Sequence, residues 1–290
     1  TRFKCDWSSD VCSSDLKENC FMKKFTALLL AAVTAAFCCI AATGCKKNEK
    51  TLIVYTEAGF APFEFKQKGN KEVVGVDMEI AKYIADKYGY KLRVINGNFD
   101  TIVAGINEDN ALGIAGITKT PKREEAVEFS DVYYSGAYQA VIYLKSDAPQ
   151  LLEGGVFAKS NFNGKTAVYQ SGTTGNALVN EKKDEWGAKY KGFNEYAVAL
   201  QEVKTASSST YLVIDSYVAA QFCAKDDSVA YAKIEGVDGG ESYAIVAKKG
   251  NKELINKVNV CIGELLVKDE NGKTQIDKWY EKYDAIEPAE

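Results

Sequence analysis

Histidine is missing from this chain altogether. Without it, a catalytic scheme loses the commonest general base. A metal site loses its commonest nitrogen ligand, and no CxxC pair stands in for it. Cysteine is scarce where it would count. Of the eight in the sequence, Cys5, Cys12 and Cys20 precede Met22, Cys38 and Cys39 fall in an apolar leader, and Cys45 ends it. Cys223 and Cys261 remain, on two predicted helices, which makes no disulfide framework. Cys261 shares a helical face with Leu254, Val258, Ile262 and Leu265, and Cys223 sits beside Phe222, so both read as small core residues. No block or stripe of one charge occurs either. The net charge is −4, with lysines and acids interspersed, and no nucleic-acid footprint is visible. Past Cys45, no apolar run is long enough to cross a membrane.

What is present begins with a leader. Met22, Lys23 and Lys24 precede the apolar run FTALLLAAVTAAFCCIAA (25–42), and Thr43, Gly44 and Cys45 follow. A basic start, an apolar stretch and small residues before a cut describe a secretory signal over 22–44. The ending ATGC resembles a bacterial lipobox, with Ala42 where that motif more often has leucine. Cys45 would then be the lipidated first residue of the mature chain. An uncleaved anchor is the competing reading, since about 20 apolar residues also span a bilayer. Ahead of the leader, CDWSSDVCSSDL (5–16) resembles a translated sequencing-library adapter, and residues 1–21 are set aside from the fold. Residues 45–50 form a short charged tether. Roughly 245 residues remain, enough for one large domain or two ordinary ones. The expected location is extracytoplasmic, tethered to a lipid surface.

From residue 51 the chain alternates short apolar runs with helix-period segments, the pattern of an α/β fold with a largely parallel sheet. TLIVYT is a strand, and 76–89 is an amphipathic helix lined by Met78, Ile80, Ala81, Ile84 and Ala85 and stopped by Gly89. KLRVI, FDTIVAGINE and ALGIAGI continue as strand, helix and strand. Similar traffic follows YQAVIYLKSDAP: GKTAVYQ, TTGNALVNEKKDEW, STYLVID and SYVAAQFCAK, then a late strand SYAIVAKKG and two closing helices. No sequence repeat occurs, yet the element order is roughly duplicated, which favours two α/β lobes over one long sheet. Crossings near 139–144 and 237–244 imply a discontinuous first lobe (51–140 plus 240–290) with a second (141–239) inserted. That arrangement suits hinge closure about a cleft.

The groups that could carry function sit at strand ends. In GITKTPKREEAVEFSD (116–131), Thr120 is a fair N-cap and Pro121 fits the first helical position. Arg123 could simply face solvent. Alternatively, its fork and the backbone N–H groups around Gly116 to Thr118 converge on an anion, because free N–H groups after a strand bind oxygen and guanidinium holds carboxylate bidentately. YQSGTTGNA (169–177) is either a plain loop with an N-cap or a hydroxyl and N–H groups centred on Thr173 facing the cleft. It is no phosphate loop, for no Gly-Lys-Ser/Thr follows. Asp215 is either a helix N-cap or a carboxylate at a strand's C-terminal end aimed at an ammonium. An arginine on one lobe and an aspartate on the other would together recognise a zwitterion. Phe60 and Phe99 are core residues by default, although Phe60 lies in a loop between Gly59 and Pro62 at a strand's carboxyl end.

Taken in order, EAGFAPFEF, VVGVDMEIAKYIADKYG, NFDTIVAGI, GIAGITKTPKREEAVEFSDVYY, VYQSGTTG and VID resemble the extracellular solute-binding proteins of polar amino-acid ABC transporters, family 3. The resemblance runs from about Leu52 to Tyr283. It implies a two-lobed periplasmic-binding-protein type II fold: two Rossmann-like lobes joined by a two-strand hinge. It implies that Arg123 clamps an α-carboxylate with the Thr118 hydroxyl and N–H groups near Gly116 and Thr173. By the same resemblance Ala115 offers a carbonyl and Asp215 holds the α-ammonium. Phe60 and Phe99 sandwich the ligand side chain, and Glu57 stands near its far end. The implied partners are a free amino acid, polar or basic, and the permease subunits; no cofactor is expected, and a monomer is. A free or tethered ligand sensor for a chemoreceptor or kinase and a cyclohexadienyl-dehydratase-like enzyme are the alternatives on the same fold, which by itself does not decide function. Ala111 and Thr210 stand where the family often has aspartate, and Val132 replaces the usual proline of SDPYY. Arg93 and Lys119 have no assigned place.

Overall fold

The computed structural model describes residues 50–206 and 209–289. The leader, the adapter-like stretch and Cys45 lie outside the described residues. Two five-stranded sheets organise the rest. In chain order their strands are β1 (Thr51–Thr56), β2 (Lys91–Asn96), β3 (Ala111–Thr118), β4 (Val127–Ala137), β5 (Gln139–Leu144), β6 (Thr166–Gln170), β7 (Lys189–Phe193), β8 (Thr210–Asp215), β9 (Val229–Lys233) and β10 (Glu241–Lys248). The main helices are α1 (Val76–Tyr88), α2 (Phe99–Gly105), α3 (Pro121–Ala126), α4 (Thr174–Trp186), α5 (Tyr196–Thr205), α6 (Ser216–Lys225), α7 (Lys252–Leu265) and α8 (Gln275–Asp284).

The first sheet runs β2-β1-β3-β10-β4, with β1 parallel to β2 and β3 and with β10 antiparallel to both its neighbours. The second runs β7-β6-β8-β5-β9, with β6 parallel to β7 and β8 and β5 antiparallel to β8 and β9. The two orders match, so the duplicated element order becomes a duplicated topology without a repeated sequence. The chain passes from the first sheet to the second between β4 and β5 and returns between β9 and β10. Gln139 and Glu241 are the first strand residues after the two crossings.

Strands covered on both faces must be apolar throughout, and β3 shows how this chain does it. Leu112 and Ile114 face the layer of α1 and α7, packing with Ile80, Ile84, Val258 and Ile262, while Ala115 and Ile117 face Ile102 and Val246. Helix α7 presents Leu254, Val258, Cys261, Ile262 and Leu265 on its buried face, and Cys261 is fully enclosed. Cys223 is half-buried against the same core, and both thiols are free. In the second lobe, Ala199 and Val203 of α5 cover one face, and the other carries an aromatic cluster. There Phe162 stacks on Trp186 with centroids 4.4 Å apart and meets Phe157 and Tyr211 near its edges.

Four elements depart from the sequence reading, among them the short strand β9, which no predicted segment covers. Strand β7 is mostly exposed, a parallel edge whose pattern carries no apolar alternation. Helix α5 buries Tyr196, Ala199 and Val203 at helical spacing, a stripe too sparse to read beside its polar flanks. Strand β4 pairs with β10 through register shifts that break its alternation. Ala111 and Thr210 are buried at the starts of β3 and β8, and Val132 is exposed on β4. Substituting Phe162→Ala removes a fully buried ring from a stacked pair. The expected loss is about 3–5 kcal/mol, read as a lower midpoint in urea unfolding.

Candidate functional site

Open α/β sheets place ligands outside the carboxyl ends of their parallel strands, and here the two sheets direct those ends at one cleft. Glu57 follows β1, Thr118 ends β3, Gln170 ends β6 and Asp215 ends β8. A single cavity is lined by all nine residues expected from sequence: Glu57, Phe60, Phe99, Ala115, Gly116, Thr118, Arg123, Thr173 and Asp215. Glu64, Gln170, Thr174, Tyr196 and Glu241 complete its wall. Arg93 is exposed on β2, and Lys119 pairs with Glu124 at the surface, 2.9 Å apart; neither lines the cavity.

Arg123 owes its position to local capping. Thr120 caps α3 by accepting the Arg123 N–H at 3.3 Å, and Pro121 holds the first helical position. The guanidinium turns inward instead of into solvent. Its Nη1 donates to the Thr118 carbonyl at 2.7 Å in the first lobe, and its Nη2 to the Gly172 carbonyl at 2.9 Å in the second. Its Cζ lies 5.5 Å from the centroid of the Phe99 ring, a favourable cation–π placement. Each terminal nitrogen keeps a further N–H, so the fork is still able to take two oxygens. Gly172 is required where it is: φ is +79°, and a Cβ there would stand 2.7 Å from the Asp100 Cα of the opposite lobe.

The acidic wall is more crowded than the basic one. Asp215 is buried and serves as the N-cap of α6, accepting the Tyr217 N–H at 2.8 Å, while its second oxygen accepts the Tyr243 hydroxyl at 2.8 Å. The two sequence readings of Asp215 are therefore compatible, because capping leaves lone pairs over. Burial raises its pKa to about 7 against those hydrogen bonds. Burial likewise raises Glu57 to about 7, opposed by Gln170 and helped by Glu195. Glu241, absent from the sequence reading, accepts the Thr118 hydroxyl on Oε2 and the Gln139 amide on Oε1 at 2.9 Å. The same Gln139 nitrogen reaches the Thr174 hydroxyl at 3.0 Å. Thr118, Glu241, Gln139 and Thr174 thus form one hydrogen-bonded chain from the first lobe to the second, through the first strand residue after each crossing.

Besides the Thr118 hydroxyl, two further expected donors are already engaged. The Gly116 N–H donates to Asp77 Oδ2 at 3.1 Å, so it points into the first lobe and is not free for an anion. Gly116 serves the cleft by its missing side chain instead: φ is +53°, and a Cβ would press on the Phe60 ring at 2.9 Å. The Thr173 hydroxyl caps α4 by accepting the Asn176 N–H at 3.1 Å and donates to the Gln170 carbonyl at 2.7 Å. Phe60 is buried and packs edge-on against Tyr243 at 5.8 Å, whereas Phe99 is half-exposed at the cleft mouth. Among the residues missed, Gln170 had a readable signal, since it ends a strand just before a glycine turn. Tyr196 lay on a helix that was not recognised, and Glu64 sat inside an aromatic segment taken as packing. Among the described residues no group of three or more acids, histidines or cysteines is placed to hold a metal ion.

Comparison with known proteins agrees with this geometry. The family model for bacterial extracellular solute-binding proteins, family 3, matches residues 52–282. The arginine-binding extracellular protein ArtP of Bacillus subtilis (strain 168) is 30% identical over 89% of this chain and 98% of its own length. The solved structure of an ancestral arginine-binding protein bound to arginine superposes with a TM-score of 0.69 at 32% identity, covering 81% of this chain and 98% of that one. The amino-acid transporter protein AbpA of Streptococcus pneumoniae Canada MDR_19A, bound to L-arginine, gives a TM-score of 0.70 at 27% identity, covering 80% and 94%. With its two matching sheets and the cleft between them, the chain has the type II periplasmic-binding-protein fold and belongs to the bacterial extracellular solute-binding proteins, family 3.

Proposed function

We propose that this protein captures a free amino acid with a polar or basic side chain outside the cytoplasm and delivers it to the permease of an ABC transporter by hinge closure. The observation that carries this reading is that Arg123 and Asp215, from opposite lobes, line one cavity. A guanidinium and a carboxylate so placed match the two ends of a zwitterion. Arg123 receives the α-carboxylate with help from backbone N–H groups near Thr173, while Asp215 and the Ala115 carbonyl take the ammonium. Phe60 and Phe99 flank the side chain, and Glu57 stands at its far end. The surplus of carboxyl groups at Glu57 and Glu241 favours a basic side chain, in keeping with the arginine-binding relatives. In our division the first lobe comprises 51–140 plus 240–290 and the second 141–239, with the two crossings as the hinge. Closure is driven by differential affinity: the closed cleft pairs both ligand charges, the open one does not. Cys45 is the proposed lipid attachment, the binding unit a monomer, and its action transport without chemistry.

The buried acids make this reading pH-dependent. Asp215 rises from an ordinary 3.8, and Glu57 from 4.5, each to about 7. The folded protein therefore holds more protons than the unfolded chain between about pH 4 and 7, and its stability falls as pH rises through that window. A ligand cation beside these groups favours their charged forms and offsets the loss. The ligand-free melting temperature should thus fall from about pH 5 to pH 8, and the Asp215→Asn protein should fall less. A flat wild-type profile would contradict the placement of these charges.

The decisive test is thermal unfolding against each common amino acid. A ligand at a hundred times its Kd stabilises by about 2.7 kcal/mol, and arginine, lysine or glutamine should give such a shift. Arg123→Ala should abolish it for every amino acid, and Glu57→Ala should change the order of preference. Normal binding by Arg123→Ala would overturn the carboxylate clamp.

A further inference from the structure

Glu64 is fully buried, yet it lines the cleft, and neither carboxyl oxygen is hydrogen-bonded to an N–H or hydroxyl group. Its neighbour is Asp77 on α1, itself fully buried, whose N–H donates to the carbonyl of the adjoining Phe63 at 2.9 Å and whose carboxyl group acts on that of Glu64. Two ionised carboxylates in contact in a dry site repel each other, and one proton between them removes the conflict. The surroundings decide which partner holds it. Asp77 accepts the Tyr133 hydroxyl at 2.7 Å and the Gly116 N–H at 3.1 Å; burial raises its pKa as well, but these donors oppose the rise and favour its charged form. Glu64 has no such donors, and burial followed by the nearby Asp77 charge pushes its pKa well above the usual carboxylate range. The other charged groups acting on it, Glu57 after β1 and Asp215 at the end of β8, are also acidic. Tyr133 on β4 faces the same pair as a neutral phenol, its own pKa raised by burial and by Asp77 and Glu64.

We propose that Glu64 is a positioning residue of the binding cleft: as a neutral carboxylic acid it donates its proton to Asp77, and the Asp77 carboxylate thus fixed holds the Gly116 peptide and the ligand-receiving wall from Ala115 to Thr118. The chain of contacts is direct. Gly116 adopts a left-handed conformation that its N–H contact with Asp77 secures, and the residue lies against Phe60. Two residues on, the Thr118 carbonyl receives Arg123. An ordinary charged glutamate at position 64 would instead add a further anion to a cleft already rich in them. This inference rests on the amino-acid reading of the cleft for its affinity readout and is independent of it for its spectroscopic one.

The test compares the full-length wild-type protein with Glu64→Gln and Glu64→Leu. Glutamine supplies an N–H donor where the acid supplies O–H, so Glu64→Gln should keep the Gly116 amide resonance and bind L-arginine within about threefold of wild type. Its affinity should follow the same pH profile as wild type from about pH 5 to 8. Leucine fills the space without a donor. Glu64→Leu should move the Gly116 resonance and weaken arginine by about tenfold or more, the worth of one hydrogen bond. If that variant does not fold, 13C-glutamate labelling of the Glu57→Gln protein, which removes the other raised glutamate, reads the same point: one glutamate carboxyl carbon should keep its protonated shift through neutral pH. Glu64→Gln falling as far as Glu64→Leu, or all glutamates titrating as ordinary carboxylates, would overturn the proposal. If arginine fails to bind even the wild type, the amino-acid reading fails, and the labelled carboxyl and the Gly116 amide still decide the role of Glu64.

Discussion

A guanidinium enclosed between two lobes has to be satisfied by both of them, and the cleft is organised around that requirement. Arg123 spends one N–H on the Thr118 carbonyl and another on the Gly172 carbonyl, one from each lobe. The Thr120 cap sets its helix, the Phe99 ring lies near its face, and glycine at 172 lets the opposite backbone come within reach of both Arg123 and Asp100. Uncharged carbonyls satisfy the geometry but not the charge, and desolvation lowers the Arg123 pKa accordingly. Glu241 opposes that shift through space, without an ion-pair contact among the described residues. In the proposed reading, a ligand carboxylate supplies the charge that these carbonyls do not.

The same accounting on the acidic side bears on the proposed hinge closure. Buried ion pairs are stable only when every charge has a partner, and a buried charge left alone is destabilising. Asp215, Glu57 and Glu241 line a wall whose only cation is Arg123. Protons on the first two, and on Glu64, relieve part of the repulsion; opening to water relieves the rest. The chain from Thr118 through Glu241 and Gln139 to Thr174 ties the two lobes by hydrogen bonds at the crossings. Ligand charges contribute the remainder.

Residues at the carboxyl ends of strongly apolar strands were legible in the sequence, because strand, turn and cap each leave a local pattern. Arg123, Asp215, Thr173 and Phe60 were found that way, and the resemblance placed Glu57, Phe99, Ala115 and Thr118 beside them. What local pattern does not carry is the direction of a single N–H. Gly116 was expected to offer its amide to an anion, and Asp77, 39 residues earlier in the chain, has taken it. Glu241 and Gln139 escaped because their significance is that they meet, 102 residues apart, at the two crossings. Strand β7 was invisible for the opposite reason: an exposed edge needs no apolar pattern at all.

Glu57 shows how the electrostatic design bears on selectivity. A fixed carboxylate in an enclosed pocket would reject neutral side chains, since an unpaired charge is costly there. A carboxyl group that burial has raised to about 7 is different. It can lose its proton to meet a guanidinium or ammonium, or keep it and donate to an amide oxygen. The cost of switching is small near neutrality, so the pocket favours cationic side chains without excluding neutral polar ones. Gln170, hydrogen-bonded to Glu57, sets the balance by favouring the charged form, while Glu195 shifts it the other way. On the proposed reading, discrimination among basic and polar amino acids is a property of those two neighbours as much as of Glu57.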